Sequence, residues 1–514
     1  MLKKILSSIR FLDVLFIGQI AVIGLVVFGV LPRSATLYLT AVLAGYALWA
    51  PLDDALALFV RSIPLFVALP LTTTFDSLNS WRVLSLILFI RWLFILRVSG
   101  RSIVSWAKSR PALILFVFLG ICALGSVIPA PDKIAALKRI AYFINLSLIG
   151  FILHDRIGLS RAFARRVVRN IAIPTFLVIA TGMAQLVMTY AGDIFSFVDF
   201  WVYRIQVTFF GGGWAAIALK TNTWFAYYGD QLSLRMFSLF PDSHSFPIFL
   251  LLGIPAVLAV CLAHLAPKAA RLKDLVRTRA RWFIVAVPFI FLGTLLSGTR
   301  GIWAASIGVV LWSVLLRWVM RKQETTRKNI MLYLSLFTTV FFLLLPLAYA
   351  VFISDQFQVQ KSDAALFRKR ISSILDIGET SNRERLRIWR VTLNSVGERP
   401  LLGVGIGNFP VVLDQDVALA KAGSSAHNIY LHIAAEIGIV GLAAALAALW
   451  VLLAKTYEHF LRQRDGLLAF YQGAALLYVP WVLLYSLTDI ALFDERAFLL
   501  FVITSALLVS ESHA

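Results

Sequence analysis

The sequence predicts an all-α, polytopic membrane protein: a transmembrane helix bundle of about 12–14 spans with one long external loop. Three observations carry this. Hydrophobic residues make up 60% of the 514 and charged ones only 15%, against roughly 45–50% and about 25% in soluble domains. Windows of about 17–22 nearly uncharged residues, long enough to cross a bilayer as a helix, recur along the chain. Strict alternation in ten-residue segments, the mark of a membrane β-barrel, is absent.

In chain order, spans are expected at 11–32, 34–50, 55–74, 81–97, 111–130, 134–153, 171–191, 246–264, 282–298, 301–319, 330–352, 427–453, 465–488 and 497–511. The second and third are short enough to form a broken or re-entrant pair, which separates a count of fourteen from one of twelve. Lys3, Lys4 and Arg10 precede the first apolar run without a convincing small-residue cleavage site, so that run reads as an uncleaved first span.

Charge then orients the bundle. With the N-terminus inside, the inner links 97–110, 154–170, 265–281, 317–329 and 454–464 hold four, five, six, five and three Lys/Arg. The short links on the other side are poor in positive charge, as the positive-inside rule requires. The exception, 353–426, carries ten Lys/Arg and eight Asp/Glu, and a segment this long crosses largely regardless of charge. Both termini are therefore expected in the cytoplasm.

Several function classes fall away. The net charge of +21 sits mainly in short links where it sets topology, so it does not indicate nucleic acid. Cys122 and Cys261 lie inside apolar segments, which gives neither a disulfide framework nor a Cys metal site. No HExxH, EF-hand or Walker pattern occurs, and no cofactor is expected. With no internal repeat, linker or low-complexity tract, 1–514 reads as a single integral membrane domain with 353–426 as its long loop.

Two segments are expected outside the membrane on the far face. One is about 192–245, whose Trp201, Tyr203, Trp214, Trp224, Tyr227 and Tyr228 are of types that favour the membrane interface. The other is the long loop, where 383–396 has a helix-like pattern.

This topology brings four polar sites to one face. Arg235 begins RMFSLFPDSHSF ahead of a span, and Asp242 is an available partner for it. Arg300 sits in the turn Ser297-Gly-Thr-Arg-Gly301. There, unpaired helix N–H groups and a guanidinium fork suit an anion, although an interfacial arginine that snorkels fits equally. Arg383, Arg385, Arg387 and Arg390 crowd the loop helix; at helical spacing Arg385 points away from the other three. His427 and Asn428 mark the passage from loop to helix, where an imidazole suits proton transfer near neutrality or a backbone-satisfied cap. Glu436, nine residues on, lies about 180° round the helix and some 13 Å along it, which excludes it as a direct partner of His427 in an unbroken helix. Pro400–Phe409, PLLGVGIGNF, suits a close-packed turn and lacks the helix-plus-Lys signature of a phosphate loop. Asp242-x-His244 offers a metal pair at most. Arg61, Arg91 and Asp13 are intramembrane charges whose partners the sequence does not name.

These residues carry a resemblance. AHNIYLHIAAEIGIVGL and RLRIWRVTLNSVGERPLLGVGIGNF are similar to the H-N-x-x-L…E-x-G-x-x-G and R-L-x-x-W…P-L-x-G-x-G-x-x-x-F segments of the O-antigen ligase and polymerase superfamily. LLSGTRGIWAA resembles its serine–arginine–glycine turn and RMFSLFPDSH its earlier arginine segment, so the likeness covers roughly 235–450. The chain departs where the family commonly has a small residue and Asn after Pro, here Asp242-Ser243-His244, and where Ser commonly precedes the arginine, here Thr299.

The resemblance implies a membrane glycosyltransferase fold (GT-C-like) in a bacterial inner membrane, with the active site and the long loop on the periplasmic side. The implied donor is a polyprenyl (undecaprenyl) diphosphate-linked glycan. The implied acceptor is a glycolipid such as lipid A–core, or another glycan, reached with inversion. Arg235, Arg300 and Arg385 are the expected diphosphate-binding cations, which would make a metal unnecessary. His427 is the expected general base, or alternatively a further diphosphate contact. Ligase and polymerase both fit. A lipid-linked sugar transporter is the alternative of another class, disfavoured because no internal symmetry is present.

Overall fold

The computed structural model describes residues 11–72, 76, 78–100, 112–192, 194–218, 224–228, 231–263, 281–354, 380–416 and 424–510. Most of the links 97–110 and 265–281, and positions 355–379 and 417–423 of the long loop, lie outside them.

The described residues are helical almost throughout. Apolar helices α1 (Phe11–Val27) and α2 (Ala35–Trp49) lead into α3 (Leu52–Ser62). Here 55–74 is not one continuous span, and the chain follows the broken or re-entrant alternative. Pro64 interrupts the helix, the chain passes through β1 (Ala68–Leu69), and it turns back to pair antiparallel with β2 (Leu78–Asn79). At about 1.5 Å per residue, α3 is only about 16 Å long, half the bilayer core.

Next come α4 (Ser80–Val98), α5 (Ala112–Gly125), α6 (Lys133–Leu159) and α7 (Arg161–Ala191). Asp132 and Ser160 cap α6 and α7 by accepting from the N–H groups of Ala135 and Phe163, satisfying donors that every helix start leaves open. Short helical pieces over 194–218 and the hairpin β3 (Phe225–Tyr228)–β4 (Gln231–Leu234) follow. The second half holds α8 (Ser245–Leu262), α9 (Arg281–Leu296), α10 (Arg300–Val319) and α11 (Thr325–Leu343), which continues after a break as Leu345–Phe352. It ends with α12 (Thr380–Glu398), α13 (Ile429–Arg462), α14 (Gly466–Tyr485) and α15 (Glu495–Val509).

Seven helices among the described residues are long and apolar enough to cross a membrane, and four shorter apolar ones accompany them. Burial separates the seven. The apolar windows of α8 and α14 are 94% and 89% buried, whereas α10, α11 and α13 bury a third or less. A helix apolar all round belongs in the core, so α8 and α14 form the central pair. The outer helices turn residues such as Leu311, Val314 and Trp450 outward, a surface suited to lipid chains.

Intramembrane charges find partners. Arg61 of α3 bonds Asp13 of α1 and Asn170 of α7, and Arg91 donates to Ala47 O at 2.7 Å. Of the aromatics expected at an interface, Trp201 and Trp224 are instead buried, each at 1% exposure. Their indole N–H groups bond Ser238 O (3.2 Å) and Pro241 O (3.0 Å). A buried tryptophan needs such a partner, and both partners lie in the loop that holds Arg235.

Candidate active site

The loop entering α8 builds one wall of the site. Arg235 N–H bonds Trp224 O at 2.8 Å and Met236 N–H bonds Leu296 O at 2.9 Å. Gln185 Oε1 accepts from the N–H groups of Phe237 and Ser238 at 3.0 and 3.1 Å. Asp242 Oδ1 accepts from His244 N (2.8 Å), Ser245 N (2.7 Å) and Ser245 Oγ (2.8 Å). A carboxylate at a helix start satisfies open donors and suits the dipole. Asp242 is thus engaged at the start of α8, and Arg235 Nη1 turns to His244 Nε2 (3.2 Å) and Ser243 Oγ (3.4 Å).

That contact assigns the His244 tautomer. Guanidinium only donates, so Nε2 accepts and the ring proton sits on Nδ1. Nδ1 lies 3.1 Å from Asp489 Oδ2 and 3.1 Å from the Tyr485 hydroxyl. Asp489, just past the end of α14, is 7% exposed. A chain of contacts therefore runs Asp489–His244–Arg235.

The turn before α10 is stitched to this wall. Thr299 Oγ1 donates to Ser243 O at 3.1 Å. Gly301 presses so closely on Tyr485 and Thr488 that a Cβ would collide with both. Arg300 is the first residue of α10 and half-buried, where the positive end of the helix dipole favours an anion.

The opposite wall comes from the long loop and α13. Arg385 and Trp389 lie one turn apart on α12, hence on one face. Trp389 Nε1 donates to Ala426 O at 2.9 Å, fixing the residue before His427. Arg383, Arg387 and Arg390 are exposed and Arg385 is half-buried. His427 sits at φ 47°, a left-handed conformation uncommon for a residue with a side chain. It is braced on both sides. Its N–H meets Ser425 Oγ at 3.3 Å, Asn428 caps α13 through Tyr430 N and Leu431 N, and Ile429 N–H bonds Ser486 O at 2.8 Å.

Electrostatics tie the two walls together. Burial lowers the His427 pKa below its ordinary 6.5; Arg385, His244 and His432 act the same way, and Asp489 opposes them. Burial works to raise the Asp489 pKa, but His244, His427 and Arg385 outweigh it and hold the carboxylate well below its usual range. At neutral pH the site thus pairs an uncharged His427 with an ionised Asp489 among arginines.

The glycine-rich stretch has another task. Val404 N–H bonds Ala435 O (2.8 Å), Gly405 N–H bonds Glu436 O (3.0 Å), Ile406 N–H meets Ser126 Oγ (3.1 Å) and Phe409 N–H meets Glu436 Oε1 (3.3 Å). These donors are engaged by protein, so this loop is a clamp on α13 and not a phosphate cradle. α13 breaks at Gly438 (φ 81°) under Leu401, two residues beyond Glu436. That leaves Glu436 on His432 (3.5 Å) and the clamp.

Arg235, Arg300, Arg385 and His427 thus come to one end of the bundle. Sequence reasoning weighed His244 only as a metal partner of Asp242 and overlooked Asp489 and Tyr485. An acid just beyond the end of an apolar span, on the same face as His427 by chain order, was the signal available for Asp489. Among the described residues no group of three His, Cys, Asp or Glu side chains is arranged to hold a metal ion.

Fold and site together define a multi-pass, all-α membrane protein with a cationic, histidine-bearing site at one end of its bundle. Residues 283–446 match the family described as O-antigen ligase, and over that segment the chain is similar to ligase- and polymerase-type membrane glycosyltransferases. The match includes Arg300, Arg385 and His427; Arg235, His244 and Asp489 lie outside it. No curated protein matches the chain.

Proposed function

We propose that this protein transfers a glycan from a polyprenyl diphosphate carrier to a hydroxyl of lipid A–core or another envelope acceptor, at the periplasmic face of the inner membrane. The observation that carries the reading is one half-buried histidine, His427, electrostatically coupled to Arg385 and Asp489, within reach of two further arginine-bearing turns. The acceptor hydroxyl attacks the anomeric carbon from the face opposite the diphosphate. As the new C–O bond forms, the C–O bond to the diphosphate breaks and its electron pair leaves with the phosphate oxygen, inverting the centre. The hydroxyl proton passes to His427, whose depressed pKa keeps it ready to accept one near neutrality. Arg235, Arg300 and Arg385 face the charge growing on the leaving diphosphate, where fixed cations in a poorly hydrated site act most strongly. The positive links at the other end of the helices support this orientation.

The test is to incubate purified protein with a polyprenyl-diphosphate glycan and either lipid A–core or additional donor. Transfer to lipid A–core is the expected result. Chain extension without it would make the protein a polymerase, and movement of intact donor across the bilayer without bond cleavage would make it a transporter. Full transfer by His427→Ala and Arg300→Ala would sink the mechanism.

A further inference from the structure

α13 leaves the site at Ile429 and reaches the other end of the bundle at Arg462; α14 starts there and returns to Tyr485. Around that far turn the ends of α6, α7, α13, α14 and α15 enclose a cavity of about 360 Å³, within the span of about 300–1,000 Å³ usual for ligand pockets. Its lining is divided. Arg161, Arg464 and His459 supply polar and cationic groups, whereas Leu468 and Leu507 are apolar. Gln472 also lines it, six residues past the start of α14 and so about 9 Å along the helix. Gln472 is 5% exposed, and its Oε1 has no hydrogen-bond partner among the described residues. Arg161 and Arg464 also line an adjoining open cavity of about 510 Å³.

Each part of the lining selects a chemistry. Arginines at a helix-end pocket select an anionic headgroup. A buried amide oxygen without a donor is costly, and a ligand hydroxyl removes that cost. The leucines select hydrocarbon. A phosphodiester bearing a free hydroxyl and carried on an acyl lipid satisfies all three.

We propose that this cavity binds the headgroup of an anionic, hydroxylated phospholipid in the leaflet opposite the glycan-transfer site. A soluble glycerol phosphate shares the phosphate-and-hydroxyl chemistry but offers nothing to Leu468 and Leu507.

The experiment uses the full chain, delipidated in detergent and titrated with phosphatidylglycerol, phosphatidic acid, phosphatidylcholine or glycerol phosphate. Binding is read by native mass spectrometry and the thermal midpoint. Phosphatidylglycerol is expected to bind and raise the midpoint, and phosphatidylcholine is not. Arg161→Gln and Arg464→Gln should each weaken phosphatidylglycerol roughly fivefold. Gln472→Leu should weaken phosphatidylglycerol while leaving phosphatidic acid, which lacks the hydroxyl, unchanged. Should Gln472→Leu fail to fold, the exposed Arg464→Gln still decides. Equal binding of phosphatidylglycerol and phosphatidylcholine, or no loss in either arginine variant, would overturn the proposal. Glycerol phosphate bound as tightly as phosphatidylglycerol would replace the lipid by a soluble ligand.

Discussion

His244 joins two charges that would otherwise be separate: its Nδ1 is 3.1 Å from Asp489 Oδ2 and its Nε2 is 3.2 Å from Arg235 Nη1. The imidazole takes its orientation from the carboxylate and passes it to the guanidinium. Hydrogen bonds to charged groups contribute about 1.5–3 kcal/mol, so breaking this chain should lower kcat/KM for glycan transfer roughly 10- to 100-fold. His244→Leu and Asp489→Asn should both do so while the protein stays folded. If Arg235 is what they position, either change combined with Arg235→Gln should add little to the loss from Arg235→Gln alone. Full additivity in that double-mutant cycle would show that the three act separately.

The pH profile follows from the sign of the His427 shift. The neutral imidazole is the active form, so activity should rise with pH along a limb whose midpoint lies below 6.5 and then level off. Asp489 favours the protonated ring and Arg385 disfavours it. Asp489→Asn should therefore move the limb to lower pH, and Arg385→Gln should move it to higher pH. The kcat/KM profile of each variant measures this; limbs that do not move would remove His427 as the titrating base.

Arg300 is expected to resist conservative replacement. Lysine keeps the charge but loses the planar fork that fits two phosphate oxygens, and it stands at a helix start where the turn leaves little freedom. Arg300→Lys should lose most of the activity, and Arg300→Gln about 10²–10³-fold, the usual scale for a group facing developing charge. Donor turnover under saturating acceptor reads this. A lysine variant with native turnover would reduce Arg300 to an interfacial anchor.

How much of this was legible in the sequence depends on reach. Apolar windows and basic links revealed the bundle because both signals are local. The arginines and His427 stood out because polar residues are costly beside so many apolar ones. The early break was legible only as an alternative, a broken or re-entrant pair: 55–74 is apolar enough to span, and Pro64 with the pairing of Ala68–Leu69 to Leu78–Asn79 is what ends α3. Asp489 was missed for another reason. Its role depends on contact with His244 and with the field of His427, and chain order puts these residues on one face without bringing them into contact. Trp201 and Trp224 misled because an indole suits an interface and a buried carbonyl equally well.

The clamp on α13 gives the last prediction. Gly403 (φ 65°) and Gly438 (φ 81°) face each other's segments, and a Cβ on either would meet backbone: Ala435 O and Glu436 for Gly403, Leu401 O for Gly438. Each also has a positive φ that glycine tolerates and that costs a side-chain-bearing residue roughly 1–3 kcal/mol. Gly403→Ala and Gly438→Ala should therefore destabilise by at least that amount, since backbone cannot step aside as a flexible side chain would. Gly397 is the control. Nothing lies within 4 Å of its would-be Cβ, and it sits inside α12, where alanine is the better helix former by about 1 kcal/mol. Gly397→Ala should leave the thermal midpoint unchanged or raise it. The clamp sets where α12 lies against α13, so the two damaging variants should also lose transfer through Arg385 and His427 at temperatures below their unfolding. Thermal unfolding in detergent beside activity at low temperature separates the two effects. A Gly438→Ala protein with native stability would mean that the break in α13 is not held by this clamp.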